Sequence, residues 1–316
     1  MIKANGLSMH YGPVLALNDV SFEVNQGEVV GLLGPNGAGK STAMKILTTY
    51  LYPSKGSAVV AGYDVLEKPV EVRRNIGYLP EVLPLYMEME VRTYLDFVGR
   101  ARGLSGAHLK ERTDAVLDAC GLRPMYRKLI RELSKGYKQR TGLAQALIHD
   151  PAVIVLDEPT SGLDPHQILE IRDLISHLAK DKTVILSTHI LSEVEHSADR
   201  IVIISEGHIV GNGTVEELRN RAKDNERTSI SVAGERQEIE RQLSAVNGVK
   251  KVNFTGQSDG CVAFELHSNI GTSLWRELSD LARAKQWQLQ ELAEKPLSLE
   301  ETFLTLTEKE VQSADR

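Results

Sequence analysis

Five apolar residues, Val29-Val30-Gly31-Leu32-Leu33, run directly into Gly34-Pro35-Asn36-Gly37-Ala38-Gly39-Lys40-Ser41-Thr42. No other junction in the chain constrains the fold as strongly. The second segment completes the spacing G-x-x-x-x-G-K-[ST] behind a strand-like run, which calls for a strand, a tight glycine loop and a helix in immediate succession. Glycine is needed where the backbone must approach phosphate oxygens in conformations that a Cβ forbids. Successive N–H groups of the loop, opening into a helix expected from Ser41 to Leu51, then face negative charge. Lys40 adds a point charge for β- and γ-phosphates, and the Ser41 hydroxyl is a hard oxygen suited to Mg²⁺. The chain is therefore expected to bind a nucleoside triphosphate.

A second constellation follows at Val153-Ile154-Val155-Leu156-Asp157-Glu158, a continuous apolar run ending in two acids. Such a run fits a strand buried on both faces of a parallel sheet, with its carboxylates emerging at the carboxyl edge where the phosphate loop also lies. Asp157 is then placed to hold Mg²⁺ through water. Glu158, one step further, can polarise the water that attacks a γ-phosphate. Val184-Ile185-Leu186-Ser187-Thr188-His189 repeats the pattern, so His189 ends on the same edge, where a neutral ring can donate a hydrogen bond to the γ-phosphate and orient the attacking water. Between these strands, Leu133-Ser134-Lys135-Gly136-Tyr137-Lys138-Gln139-Arg140 and Ser161-Gly162-Leu163-Asp164-Pro165 read as loop-to-helix starts. For Ser134 an anion site at a helix amino end and an ordinary N-cap both fit these residues.

Bulk properties exclude several classes. With 316 residues, the chain exceeds what one core usually serves, so a large domain plus a smaller one is expected. Hydrophobic residues at 41% and charged residues at 25% describe an ordinary globular chain rather than a disordered or membrane-embedded one. No apolar run reaches the ~18 residues of a spanning helix. The N-terminus, Met1-Ile2-Lys3-Ala4-Asn5, carries no export pattern, so a cytoplasmic location is expected. Cys120 and Cys261 lack metal-ligand spacing and are expected to be reduced. A net charge of −6 gives no general attraction to nucleic acid, and none is expected as a partner.

Taken in order, the phosphate loop, Leu133-Ser134-Lys135-Gly136, Leu156-Asp157-Glu158-Pro159, Ser161-Gly162-Leu163-Asp164 and His189 resemble the ATP-binding subunits of ABC transporters. The resemblance covers roughly residues 1 to 220, and the Leu-Ser-x-Gly segment is the part no other P-loop class carries. It implies an α/β P-loop NTPase cassette with an antiparallel β subdomain and a helical subdomain. It further implies that Tyr11 stacks on adenine and that Lys40, Ser41 and Asp157 keep their phosphate and metal roles. Glu158 would be the general base and His189 the switch histidine. Two such subunits would face each other head to tail. Each ATP would lie between one phosphate loop and the other subunit's Ser134 and Gly136, with Asp164 crossing the interface.

Two positions depart from the family pattern. Glu81 follows Ile76-Gly77-Tyr78-Leu79-Pro80 where the family usually has glutamine at a loop that touches Mg²⁺; a glutamate remains a hard ligand but, ionised, donates no hydrogen bond. Lys135 and Tyr137 alter the signature, and Lys135 brings an extra positive charge to the γ-phosphate site. Both departures resemble the branch that pairs with ABC-2-type exporter membrane proteins. The resemblance thus implies an ATPase subunit that powers export through separate permease subunits at the cytoplasmic face of the inner membrane. The rival class is a soluble ABC-type ATPase acting on nucleic acid or ribosomes, which generally has two cassettes or a long coiled coil; this chain has one cassette and no sustained heptads.

Residues 1–30 alternate short strand-like runs with turn residues, as in an antiparallel sheet. Residues 82–150 are dominated by helical periodicity and are expected to form the helical subdomain, with Leu83 to Thr93 facing the membrane partner. A charged stretch from Arg219 to Arg227 reads as a linker. The cassette is thus expected over 1–220. Residues 221–316 read in order as βαββαβ, a small α+β ferredoxin-like accessory domain, closed by a helix with a capping-box pattern from Ser298 to Glu301.

Overall fold

The structure, a computed structural model, describes residues 1–222, 226–258, 260–269 and 272–314. Lys223, Asp224 and Asn225 of the expected linker lie outside the described residues. Contacts divide the chain into two compact units, Met1–Val215 and Glu216–Arg316.

In the first unit, β1 (Ile2–Tyr11) and β2 (Val14–Val24) form an antiparallel hairpin. Then come β3 (Val29–Leu33), α1 (Lys40–Leu47), β4 (Lys55–Val60), β5 (Tyr63–Asp64), α2 (Pro69–Asn75) and β6 (Ile76–Leu79). Three helices follow, α3 (Val91–Ala101), α4 (Gly106–Ala119) and α5 (Lys135–Leu147), and these occupy the segment where helical periodicity is read. The unit finishes with β7 (Val153–Asp157), α6 (Pro165–Leu178), β8 (Thr183–Thr188), α7 (Leu191–Ser197), β9 (Arg200–Ser205) and β10 (His208–Gly213).

Two sheets result. The antiparallel one has the order β2-β1-β4-β5 and the other β10-β9-β3-β8-β7-β6. In the latter β9, β3, β8, β7 and β6 are parallel and only β10 is antiparallel. Every residue of β3, β7 and β8 is buried, as parallel strands covered on both faces require. Their carboxyl ends therefore emerge side by side, and this edge carries the Lys40, Asp157 and His189 loops.

The core of this unit joins α1 to both sheets. Met44, Ile46 and Leu47 pack with Ile2, Leu7 and Phe22 from the antiparallel sheet and with Val30, Leu32, Val155 and Ile185 from the six-stranded one. Helix α1 is shorter than the run to Leu51 expected from the sequence. It stops at Leu47 because Thr49 adopts φ 61, which no helix continues through; the Thr48 hydroxyl adds a second donor to the Met44 carbonyl at 2.9 Å.

Helix α8 (Val215–Ala222) begins at the last residue of the first unit, and the second unit continues as β11 (Glu226–Ala233), α9 (Arg236–Ser244), β12 (Val249–Ser258), β13 (Cys261–Ser268), α10 (Trp275–Ala284), β14 (Leu289–Glu294) and α11 (Leu299–Ala314). Its sheet order β12-β13-β11-β14 is antiparallel throughout, the pairing of a split βαβ with the later strands inserted and appended. Phe264, Ile230, Leu243 and Leu278 centre a separate core. The Ser298 hydroxyl accepts the Glu301 N–H at 3.1 Å and the Glu301 carboxylate accepts the Ser298 N–H at 2.9 Å, closing the capping box.

Met44 is fully buried between the two sheets, so Met44→Ala is expected to lower unfolding free energy by about 2–5 kcal/mol. Urea denaturation checks this, and a loss below about 1 kcal/mol would contradict the packing described.

Candidate functional site

Lys40 opens α1 and is 5% exposed. A buried ammonium has three protons to place. The Gly34 carbonyl accepts one at 2.8 Å, the Pro35 carbonyl another at 3.2 Å, and Glu158 Oε1 stands at 3.3 Å. Gly39, immediately before it, has φ 110, and a Cβ there would come to 2.6 Å from the Ala16 carbonyl oxygen. Only glycine serves at that turn.

The next strand pair supplies the acids. Asp157, 1% exposed, accepts at Oδ1 from Ser41 Oγ at 3.0 Å and from Ser187 Oγ at 2.6 Å. Glu158 adopts φ 49, a backbone region costing about 1–3 kcal/mol for a residue with a Cβ. Two acceptors hold it there: its N–H reaches the Ser187 carbonyl at 3.2 Å and Ser187 Oγ at 3.0 Å. The Glu158 side chain is then clamped from both sides, by Lys40 at Oε1 and by His189 Nδ1 at 2.8 Å from Oε2. A carboxylate only accepts, so this contact places a proton on Nδ1. A neutral ring in that tautomer has none on Nε2. Donation to phosphate by the neutral ring, as expected from the sequence, therefore requires Nδ1 to leave Glu158.

Lys40, Ser41, Thr42, Asn36, Gly37, Gly39, Glu81 and Glu158 line one cleft of about 300 Å³, with Ala16 on its wall. Gly34, Pro35 and Ala38 shape the loop from behind, with the Ala38 N–H donating to the Pro35 carbonyl at 3.2 Å and the Gly34 N–H to the Thr188 carbonyl at 3.4 Å. Tyr11 does not line this cleft; it ends β1 opposite Val14 and is 44% exposed. Glu81 also borders a second, more apolar cleft of about 430 Å³ lined by Tyr50, Tyr78, Val82, Pro84 and Arg102. Burial, with Asp157, Tyr50 and Glu81 nearby, pushes the Tyr78 phenol up from its ordinary value, and its hydroxyl has no hydrogen-bond partner among the described residues.

Ser134, Lys135, Gly136 and Asp164 are brought together elsewhere. Ser134 caps α5 by accepting the Tyr137 N–H at 3.4 Å, and Asp164 caps α6 by accepting the Gln167 N–H at 3.0 Å. Gly136 leaves room for the Gln167 side chain, where a Cβ would come to 2.7 Å, and the Lys135 ammonium lies over Gly162. None of the four lines the cleft around Lys40.

For Mg²⁺, the donor set of one hydroxyl and carboxylates at Ser41, Asp157 and Glu81 is the hard-oxygen type that ion takes, with nucleotide oxygens and water completing it. Ser187 is a site residue that the strand pattern alone does not single out. Its signal is a fully buried serine in an apolar strand, which must find partners.

A family model described as ABC transporter matches residues 17–161, and an overlapping model for an AAA domain matches residues 129–195. The uncharacterized ABC transporter ATP-binding protein YxlF of Bacillus subtilis (strain 168) is 36% identical over 305 residues, 96% of this chain and 98% of that protein. The doxorubicin resistance ATP-binding protein DrrA of Mycobacterium tuberculosis is 39% identical over 226 residues, 71% of this chain and 68% of that protein. The bacitracin transport ATP-binding protein BcrA of Bacillus licheniformis is 37% identical over 223 residues, 70% and 72% of the two chains. Among solved structures, an ATP-binding subunit of an ABC transporter matches with TM-score 0.64 and 33% identity over 70% of this chain and 92% of that one. A dimeric ATP-binding cassette in a post-hydrolysis state with ADP and Pi shares the fold, with TM-score 0.63 and 24% identity over 68% and 98%.

Replacing Ser187 with Ala is expected to cost about 1–3 kcal/mol of stability, because the buried Asp157 oxygen and the Glu158 N–H lose a partner. Thermal unfolding at neutral pH measures it, and an unchanged midpoint would contradict the role.

Proposed function

The chain belongs to the ATP-binding proteins of ABC transporters, whose cassettes hydrolyse ATP and work as dimers, and from that premise we propose that two copies close head to tail on ATP and drive export through separately encoded membrane subunits. The observation that carries the reading is the clamp on Glu158, held between the phosphate-loop lysine and His189 at one sheet edge. On this reading Lys40 and the loop N–H groups receive the β- and γ-phosphates. Glu158 then exchanges its contact with Lys40 for one with the attacking water, whose proton it takes as general base. His189 orients that water and the γ-phosphate. Ser41 and Asp157, with Glu81, would hold Mg²⁺, which neutralises charge developing on the phosphates. Tyr11, exposed on its hairpin, would stack on adenine.

The separation of Ser134, Lys135, Gly136 and Asp164 from the Lys40 cleft supports the two-copy arrangement, since a second chain would bring that patch to the nucleotide. Ser134 and Gly136 would meet the γ-phosphate there, Lys135 would add charge, and Asp164 would cross the interface. Exposed apolar residues support a membrane-subunit face along Leu83 to Thr93. Tyr86 is 52% and Met87 42% exposed within it, and Val82, 82% exposed and just before it, lines the second cleft. No described helix is long and apolar enough to cross a membrane, so the proposed attachment is peripheral, at the cytoplasmic face. Relatives named for doxorubicin resistance and bacitracin transport favour export. The proposed cassette covers residues 1–220 and the accessory domain 221–316.

Glu158→Gln is expected to leave ATP binding intact, to lower hydrolysis by about 100-fold or more and to trap an ATP-bound dimer; hydrolysis at the parent rate would remove Glu158 from the base role. Glu81→Gln is expected to change stimulation by the membrane subunits more than basal turnover. Unchanged coupling in reconstituted vesicles would count against that.

A further inference from the structure

A second carboxylate lies buried near the site. Glu193, in the first turn of α7, is 5% exposed. Burying a charge is costly unless its oxygens are satisfied, and here two hydroxyls satisfy them. Thr188 Oγ1 donates to Oε2 at 2.6 Å, and Thr160 Oγ1 donates to Oε1. Both threonines are buried, Thr188 completely. Each sits beside a residue of the hydrolytic site: Thr188 precedes His189, and Thr160 lies two residues beyond Glu158.

The neighbouring backbone is closed as well. The Ile190 N–H donates to Thr188 Oγ1 at 3.0 Å, fixing the turn that carries His189. The Ser161 N–H donates to the Glu158 carbonyl at 3.1 Å and the Leu163 N–H to the Thr160 carbonyl at 3.1 Å, fixing the turn that leaves Glu158. The Thr188 carbonyl accepts the Gly34 N–H, so the same strand end also touches the phosphate loop. Consecutive residues of β8 thus point to opposite networks, Ser187 to Asp157 and Glu158, Thr188 to Glu193.

We propose that Glu193 is a positioning residue for ATP hydrolysis: its carboxylate bridges Thr160 and Thr188 and thereby fixes the Glu158 loop against the His189 loop. It touches no substrate. It acts by holding the base and the histidine in register, and misplacement of such groups by about 1 Å costs on the order of 100-fold in rate. The inference rests on the roles proposed above for Glu158 and His189.

Steady-state turnover and binding of a fluorescent ATP analogue test it in the full-length protein. Glu193→Ala is expected to lower kcat by about tenfold or more with KM and analogue affinity little changed. Glu193→Gln, which keeps one acceptor oxygen and offers an amide to the other hydroxyl, is expected to recover much of the rate. In a His189→Ala background, measured by single turnover, Glu193→Ala is expected to cost little further, since no histidine remains to be held in register with Glu158. Unchanged kcat for Glu193→Ala overturns the proposal, and so does a full multiplicative loss in the double variant. Should Glu193→Ala fail to fold, Thr160→Val removes one arm of the bridge and must lower kcat at constant analogue affinity; parent turnover in that variant overturns the proposal equally. His189→Ala at the parent rate is a different result, which removes the role of His189 and with it the premise.

Discussion

The contact between Lys40 and Glu158 organises this protein. Both side chains are almost fully buried, their charged atoms 3.3 Å apart. Removing either partner of such a pair leaves a stranded charge, costing about 3–5 kcal/mol, while the intact pair contributes little net stability. Its value lies in placement. The lysine is held by the phosphate loop's own carbonyls and the glutamate by β8 through Ser187, so the pair locks the ends of β3, β7 and β8 into one edge.

In the proposed mechanism, a phosphate entering the loop would compete with Glu158 for Lys40, because the other two lysine protons are already committed to Gly34 and Pro35. On the proposed reading, nucleotide binding and freeing of the base are therefore one event. With Glu158 at φ 49 and its N–H pinned to Ser187, such a release would move its side chain and leave its backbone in place. The Glu193 bridge serves the same end from behind, tying the turns on which the base and the histidine ride.

Much of this was legible from residue order alone. The glycine spacing before Lys40 and the apolar runs ending at Asp157 and His189 predict parallel strands meeting at one edge, because strands buried on both faces leave only their tips for polar chemistry. The βαββαβ order of the second unit was readable too, although its sheet order depends on long-range pairing that no local pattern encodes. What escaped was partnership. Ser187, Thr188 and Glu193 are ordinary residues in strand and helix, and only the fold shows that their oxygens converge. The end of α1 is not legible because it rests on Thr49 adopting φ 61, a backbone turn that composition does not reveal.

The most direct measurement of the central claim is calorimetric titration of MgATP into the parent protein and into Lys40→Ala. The account predicts clear binding to the parent and loss of affinity by about 100-fold or more in the variant, since the buried Glu158 charge would then face phosphate without its counter-ion. Equal affinity for the two proteins would contradict it.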